Sequence, residues 1–364
     1  MPFSPLAGIE YAQAAIKSGV SMKRRHVIPA TAVALHAAVN AQTADTWRLS
    51  VGSCANQKIA QPIWQTILAD RPDLHIFGGD NVYASDQPWS LAQLQDAYAL
   101  AAKQTSMAQL MRSVPYMAMW DDHDYGMNDG GVEFAGKQAA KQALQDFFKF
   151  PASHATRSRD GLYDAQIIGT GERRIQIILL DTRWHRSPMA RPLIPGLPGQ
   201  ERYIPDPSPE KTMLGEAQWQ WLEAQLNMPA QIRLIYSGIQ VLAEGHGWER
   251  WGNLPRERQR LIDTIARTKA QGVILLSGDR HIGAMYREAS GAPYPLWEMT
   301  SSGLTHAWAN ASEAGPNRVS DLVRVNHYGL VDVNWAKNEV QLQLKDTQGR
   351  SLQTTTIPMK DLRA

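Results

Sequence analysis

Short apolar runs alternate with segments of helical periodicity along most of the chain, and this pattern predicts an α/β fold. Predicted strands lie at Trp47–Cys54, Leu74–Phe77, Arg174–Leu180, Ile232–Tyr236 and Val273–Leu276. Predicted helices lie near Ile63–Leu68, Leu91–Leu110, Gly136–Phe150 and Leu214–Leu226, and a further helix begins at Pro255. Strands that alternate with helices in this way are typical of a parallel sheet.

The last third of the chain has a different pattern, in which apolar and polar residues alternate with a period of two. This pattern predicts antiparallel strands at Gly329–Trp335, Val340–Leu344 and Leu352–Ile357, with a turn at Gln348-Gly349 between the last two. The segment between Ser187 and Glu210 contains seven prolines and no apolar period. It is therefore predicted to be a long loop, and loops of this length are often functional.

Composition limits the class of protein. The chain has 364 residues, of which 43% are hydrophobic, so it can bury a sizeable core. Its 37 basic and 35 acidic residues are balanced, which argues against a nucleic-acid-binding surface. No apolar run reaches the ~18 residues that a membrane span needs. The single cysteine, Cys54, cannot form a disulfide within the chain.

The N-terminal region has the features of a signal peptide at residues 22–41. A basic start at Lys23-Arg24-Arg25 precedes a short apolar stretch, and small residues stand at Val39 and Ala41 before a possible cleavage point. This pattern predicts export to the periplasm or the medium, and an amphipathic helix in a cytoplasmic protein is the alternative. Residues 1–21 are then either an unassigned leader or a segment that precedes the true start at Met22, and residues 42–364 are predicted to form one domain.

The stretch from Trp120 to Asn128 carries the strongest chemical signal. An apolar run ends there in Asp121, Asp122, His123 and Asp124. Adjacent ionisable groups repel one another and resist burial unless a cation joins them. Carboxylate and imidazole groups are ligands for hard and borderline metal ions, so the stretch predicts a metal site. A solvated acidic turn after a strand is the alternative.

The same arrangement recurs at other predicted strand ends. Residues that can bind a metal or a phosphate follow the strands: Cys54, Asp80 with Tyr83, Asp121 to Asp124, Asp181 with Arg183, Ser237, and Asp279 with His281. Because the carboxyl ends of parallel strands converge on one crevice, these side chains are expected to meet there.

So many potential ligands exceed what one ion needs, and they favour two metals with a bridging carboxylate. That arrangement suits displacement at phosphorus, in which one metal activates a water and the other stabilises charge on the leaving oxygen. His123 is the candidate proton donor to that oxygen, and Asp124 is expected to orient His123. Arg183 either clamps the phosphate or pairs with a carboxylate. Both interpretations remain open at this point.

The chain resembles the PhoD-like family of alkaline phosphatases and phosphodiesterases, which have the calcineurin-like metallophosphoesterase fold. The motifs that carry the resemblance occur in order over roughly residues 47–360: Gly52-Ser53-Cys54, Gly79-Asp80-Asn81-Val82-Tyr83, Trp120 to Gly126, Leu180 to Arg183, and Ser277 to His281. The resemblance implies a four-layer α/β/β/α sandwich of two mixed sheets, with metals at the carboxyl ends of the strands.

The resemblance also implies a ligand set. One ion, expected to be ferric iron, would be held by Cys54, Asp80, Tyr83 and His281. Asp80 would bridge to a second ion, expected to be calcium, which Asp279 and either Asp122 or Asp121 would complete; other divalent ions are alternatives. Asn128 matches an asparagine that lies near the phosphate in the family.

The expected activity is hydrolysis of phosphate monoesters, diesters or both, in small or polymeric substrates. Two other functions remain possible from the sequence. One is a different oxidative or esterase chemistry on the same metals, because iron with a thiolate and a phenolate can support redox work. The other is a non-catalytic binding or surface protein that keeps the fold, although a binding role has no need of His123.

Overall fold

The computed structural model describes residues 45–313 and 315–363, which contain two six-stranded sheets and helices on their outer faces. The strands are β1 (Thr46–Gly52), β2 (Leu74–Gly78), β3 (Tyr116–Met119), β4 (Asp164–Ile168), β5 (Ile175–Leu180), β6 (Ile232–Ser237), β7 (Val273–Ser277), β8 (Gly283–Glu288), β9 (Leu296–Ser301), β10 (His327–Asn334), β11 (Glu339–Asp346) and β12 (Ser351–Pro358). The α-helices are α1 (Ile63–Ala69), α2 (Leu91–Ala101), α3 (Thr105–Ser113), α4 (Asp122–Tyr125), α5 (Lys137–Phe147), α6 (Glu216–Leu226) and α7 (Pro255–Arg267).

Both sheets are mixed. The first has the order β12-β11-β10-β1-β2-β3, in which β1, β2 and β3 are parallel and the last three strands of the chain add an antiparallel edge. The second has the order β4-β5-β6-β7-β9-β8, in which the four central strands are parallel and both edge strands are antiparallel. The parallel strands of each sheet therefore end at a common edge, where loop residues can converge.

The alternating faces of the strands explain the layers. In β5, Ile177 and Leu179 belong to the core that includes the first sheet, whereas Ile178 and Leu180 pack in the core beneath α6 and α7. A strand has this two-sided apolar pattern only when both of its faces are covered. The structure thus confirms the four-layer α/β/β/α sandwich of two mixed sheets.

The two sheets contact each other directly beside the strand ends that carry the candidate ligands. Ser53 and Ser302 form an isolated parallel bridge, and the hydroxyl of Tyr236 in the second sheet donates to the carbonyl of Gly78 in the first. A Cβ atom at Gly78 would lie 2.6 Å from Cζ of Tyr236. Glycine at this position therefore allows the close contact between the sheets.

Some local predictions need correction. The helix predicted over Leu91–Leu110 is two helices, α2 and α3, because Gln104 is extended (φ −71°, ψ 97°) and its side chain donates to the carbonyls of Gln57 and Ile59. Strands β4, β8 and β9 were not predicted. The proposed signal peptide at residues 22–41 lies outside the described residues. Within the described part of the chain, no helix is long and apolar enough to cross a membrane.

Candidate metal centre

The backbone turns sharply immediately after several strands, and the turning residues are candidate ligands. Cys54, Asp80, Asp279 and His281 all have left-handed backbones, with φ between 50° and 69°. A non-glycine residue in this region costs on the order of 1 kcal/mol or more and persists only where the surrounding structure enforces it. Such strained residues are often found at functional sites, and here the turns direct four potential ligands towards one place.

The first group of converging atoms combines sulfur, oxygen and nitrogen. Cys54 Sγ and the hydroxyl of Tyr83 each lie 3.4 Å from Oδ2 of Asp80. The Tyr83 hydroxyl also lies 3.1 Å from Nε2 of His281. Cys54, Asp80 and His281 offer ligand atoms that all lie within 4.8 Å of one another. The structure therefore brings these four predicted ligands together.

A second group consists mainly of carboxylates and shares Asp80 with the first. Ligand atoms of Asp80, Asp122 and His123 lie within 4.8 Å of one another, as do those of Asp121, Asp122 and Asp279. Oδ1 of Asp122 and Oδ2 of Asp121 are buried, and neither has a hydrogen-bond partner among the described residues. Buried oxygens without partners are costly, and a cation would satisfy them.

The electrostatics lead to the same conclusion. Burial raises the pKa of Asp80 well above its usual value, and the neighbouring Asp122 and Asp121 raise it further. Burial, followed by the charge of Asp121, likewise raises the pKa of Asp279. Burial also raises the pKa of the Cys54 thiol, and the charge of Asp80 adds to this effect. These buried acids resist ionisation in the absence of a cation. A bound metal ion would stabilise their charged forms, so they are a suitable donor set for a metal.

Arg183 lies beneath this cluster and is completely buried. Its Nε is 2.6 Å from Oδ1 of Asp121, and its Nη1 is 2.7 Å from Oε2 of Glu249. Arg186 lies 3.0 Å from the other oxygen of Glu249. Of the two interpretations that the sequence left open for Arg183, this geometry favours pairing with a carboxylate. It also leaves Asp122, rather than Asp121, facing the cavity.

Asp124 does not orient His123, contrary to the expectation from the sequence. Its carboxylate accepts hydrogen bonds from the backbone N–H groups of Asp80 (3.2 Å), Asn81 (3.1 Å) and Asp121 (2.6 Å). Asp124 is third in the short helix α4, where its side chain turns back to the buried N–H groups of its own helix start and of the loop after β2. Asp124 therefore fixes the positions of two ligand-bearing turns relative to each other.

His123 is instead oriented by Ser85, whose Oγ lies 2.7 Å from His123 Nδ1. The ring also packs against that of Tyr83, with the ring centroids 4.1 Å apart and the planes inclined at 36°. Asn128 is exposed at the opening, and its amide donates to Oδ1 of Asp129 (3.1 Å). The side chains surround a cavity of about 380 Å³, whose lining residues are Asp80, Asp122, His123, Asn128, Asp129, Arg202, Trp248, Glu249, Asp279, Arg280, His281 and Trp308.

Comparison with known proteins assigns the family. The sequence profile of the PhoD-like phosphatases matches residues 49–356. The chain belongs to this family. It is accordingly a metal-dependent phosphoesterase, a hydrolase of phosphate esters, as the motifs predicted. A search of curated protein sequences found no significant match.

Two solved structures resemble this PhoD-like phosphatase in fold. A structure of PhoD has a TM-score of 0.64 at 16% identity, with 86% of this chain and 72% of that chain covered. The purple acid phosphatase PPD1 from seeds of yellow lupin (Lupinus luteus) has a TM-score of 0.57 at 12% identity, with 87% of this chain and 54% of that chain covered. At these identities the likeness establishes the fold alone, and it agrees with the predicted metallophosphoesterase sandwich.

Several residues of this PhoD-like phosphatase that shape the site were missed by the sequence analysis. Ser302 Oγ lies 3.1 Å from Cys54 Sγ and also accepts from the backbone N–H of His281 (2.8 Å). Ser85 and Glu249 were missed because neither follows a strand directly and their partners are distant in sequence. The Thr300-Ser301-Ser302-Gly303 stretch was a possible signal, because β9 is a parallel strand that ends at the same edge.

Proposed function

We propose that this PhoD-like phosphatase hydrolyses phosphate monoesters or diesters at alkaline pH with a dinuclear metal site. The observation that carries the proposal is the position of Asp80. Its carboxylate belongs to both groups of converging ligand atoms, one rich in Cys54 and His281 and the other in Asp122. A carboxylate shared by two donor sets is what a bridged pair of ions requires.

The proposed ligands divide between a softer and a harder set. Cys54, Tyr83 and His281, with Asp80, offer a thiolate, a phenolate and an imidazole, which suit ferric iron. Asp122 and Asp279, again with Asp80, offer carboxylate oxygens, which suit calcium, although another divalent ion would fit the same donors. The unpartnered oxygen of Asp122 and the mutual repulsion of the acids support this fit. Bound there, two ions would supply an activated water and offset charge on the leaving oxygen.

The residues of the chain have separate tasks in this proposal. His123 lines the cavity with its Nδ1 fixed by Ser85, so its other ring nitrogen is the candidate proton donor to the leaving oxygen. Asn128 is the candidate donor to a phosphate oxygen at the opening of the cavity. Arg183 and Asp124 act as positioning residues, since one anchors Asp121 and the other anchors the turns at Asp80 and Asp121.

The proposal extends to where the protein works and how it is organised. We infer that residues 22–41 direct export and that residues 42–364 form one phosphoesterase domain. Mass spectrometry of the N-terminus of protein recovered from the outside of the membrane tests the first inference. A mature chain that begins near Gln42 supports it, whereas an intact start in the cytoplasm argues for the alternative.

The function is tested by replacing the shared carboxylate. Asp80→Asn should hydrolyse nitrophenyl phosphate or bis-nitrophenyl phosphate at least about 100-fold more slowly than the parent, because an amide is a poor bridge between cations. Metal content measured on the same samples should show iron and calcium in the parent protein and a reduced content in the variant. Asp332→Asn is the matched control, since Asp332 pairs with Arg48 in the antiparallel part of the first sheet.

Three outcomes would contradict the proposal in different ways. Full activity and full metal content in Asp80→Asn would refute the bridging role. Turnover of a redox substrate without hydrolysis of either nitrophenyl ester would favour the oxidative alternative. Tight binding of a phosphate ester by protein that contains its metals, without any hydrolysis, would favour a non-catalytic binding protein.

A further inference from the structure

One wall of the cavity is aromatic, although the rest of its lining is charged. Trp248 and Trp308 both line the cavity and contact each other edge to face, with ring centroids 5.7 Å apart. Asp122 and His123 line the same cavity. The two indoles therefore face the same cavity as the proposed catalytic groups. Neither has a role in the proposed metal binding or proton transfer.

This aromatic wall is held rigidly. The guanidinium of Arg280 lies 5.1 Å from the ring of Trp248 and 5.9 Å from that of Trp308. Arg280 is itself fixed by a buried ion pair with Glu313. The backbone N–H of Trp308 donates to the carbonyl of His281 at 2.7 Å. The wall is therefore anchored both to a buried charge pair and to a proposed metal ligand, and binding to it requires little ordering of the protein.

Trp308 remains accessible despite these anchors. Its side chain is 38% exposed, which makes it one of the few large apolar residues of the described chain that face solvent. An indole surface that is rigid, exposed and adjacent to a reaction centre is suited to bind another ring by stacking. The cavity volume of about 380 Å³ lies within the usual range for small-molecule sites.

The charges of the cavity argue that this wall binds a neutral group. Two arginines line the cavity, and each already pairs with a carboxylate: Arg280 with Glu313, and Arg202 with Asp129 at 2.6 Å. Arg280 is buried in its ion pair and is not available to a second phosphate, whereas Arg202 is 35% exposed and lies beside Asp129 rather than against the indoles. The remaining recognition surface on this side is the face of the indole.

We infer that Trp308, supported by Trp248 and Arg280, binds a planar aromatic ring in the alcohol portion of the substrate. The inference rests on the proposed function, because it assigns the ester's phosphate to the ligand-rich side of the same cavity. The natural substrate class is then an aromatic phosphate ester, either a nucleoside phosphate or an ester of a simpler aryl-substituted alcohol.

Two matched pairs of compounds separate these sources. Adenosine 5′-monophosphate and ribose 5-phosphate share the same primary ester and differ only in the nucleobase. Benzyl phosphate and cyclohexylmethyl phosphate differ only in whether the six-membered ring is planar. Each compound is measured as a competitor of bis-nitrophenyl phosphate hydrolysis, so that its inhibition constant is obtained whether or not it is turned over.

The parent protein should bind adenosine 5′-monophosphate at least about tenfold more tightly than ribose 5-phosphate, and a ratio of this size is expected for one stacking contact. Trp308→Ala should abolish this ratio, and Trp308→Phe should retain most of it. Trp221→Ala is the matched control, since Trp221 is half-buried against Tyr163 and does not line this cavity. Unchanged metal content and thermal unfolding would show that Trp308→Ala is folded.

The outcomes are distinguishable. A preference that depends on Trp308 in the nucleotide pair alone identifies a nucleobase site, and one in both pairs identifies a general site for aromatic rings. Equal inhibition constants within both pairs, or ratios that Trp308→Ala leaves unchanged, would overturn the inference while the proposed function stands. Absence of any nitrophenol release from either nitrophenyl ester by the metal-loaded protein would instead refute the proposed function.

Discussion

Replacing Arg183 by methionine is the perturbation that best separates structural support from phosphate binding. Methionine has a similar length and keeps most of the packing, but it carries no charge. Arg183 is fully buried between Asp121 and Glu249, so its loss removes the central cation of this network. If the side chain instead clamped a phosphate, the main effect of the substitution would be on catalysis.

The magnitude follows from what each carboxylate retains. Glu249 keeps Arg186 at 3.0 Å, whereas Asp121 loses its Arg183 partner at 2.6 Å. Breaking a buried pair from one side costs about 3–5 kcal/mol, because one charge is left uncompensated. The entropy of unfolding is about 2 cal/mol/K per residue, so for a chain of this length the loss lowers Tm by about 4–7 °C.

The assay is thermal unfolding of Arg183→Met beside Arg267→Met. Arg267 pairs with Glu223 at 2.9 Å, but its side chain is 57% exposed, so its replacement should lower Tm by less than about 1–2 °C. Both variants are also assayed for kcat and KM. The reasoning is refuted if Arg183→Met unfolds within 1 °C of the parent while its KM for substrate rises strongly, since that result identifies Arg183 as a direct phosphate ligand.

Three further predictions concern metal, proton transfer and pH. Removal of metal by a chelator should lower the Tm of the parent more than that of Asp80→Asn, because the variant binds less metal and gains less stability from it; thermal scans with and without chelator check this. His123→Gln should lower kcat by about 100- to 10,000-fold for alkyl phosphates and much less for nitrophenyl phosphate, whose leaving oxygen needs no proton; an equal loss for both esters would contradict a proton-donor role. Burial lowers the pKa of His75 from 6.5 to about 3, so the unfolded chain binds a proton that the folded protein excludes, and stability falls as pH drops below 6.5. Urea unfolding at pH 7.5 and 5 should therefore show that acidification lowers the free energy of unfolding of the parent by about 2 kcal/mol more than that of His75→Gln.

The location of the site could be predicted because the end of each strand, and the residue that follows it, can be identified from the local sequence. Apolar runs that end at Phe77 or Leu276 identify the strands, and the residue type after each strand is visible in the sequence. Parallel pairing then places Asp80 and Asp279 at sheet edges without further information. The α/β class followed from this pattern, whereas the four-layer sandwich of two mixed sheets was implied by the resemblance to the PhoD-like family.

The rest of the site depends on contacts between distant segments, which a local pattern does not contain. Ser85 meets His123 across 38 residues, and Arg183 meets Glu249 across 66. The role predicted for Asp124 was wrong because sequence proximity to His123 suggested a contact, whereas the short helix α4 turns the carboxylate towards backbone N–H groups. Strands β8 and β9 were missed because their strand character depends on pairing, β9 with β7 and β8 with β9.

The proposed ligands are divided between the two sheets, and this has a consequence for cooperativity. Cys54 and Asp80 follow strands of the first sheet, whereas Asp279 and His281 follow β7 of the second. Neither sheet alone can form a complete coordination sphere, so the free energy of ion binding is available only while both are intact. An ion at this edge would therefore make the unfolding of one sheet depend on the other. Hydrogen exchange in β2 and β7 should then occur through the same opening event when the site is loaded.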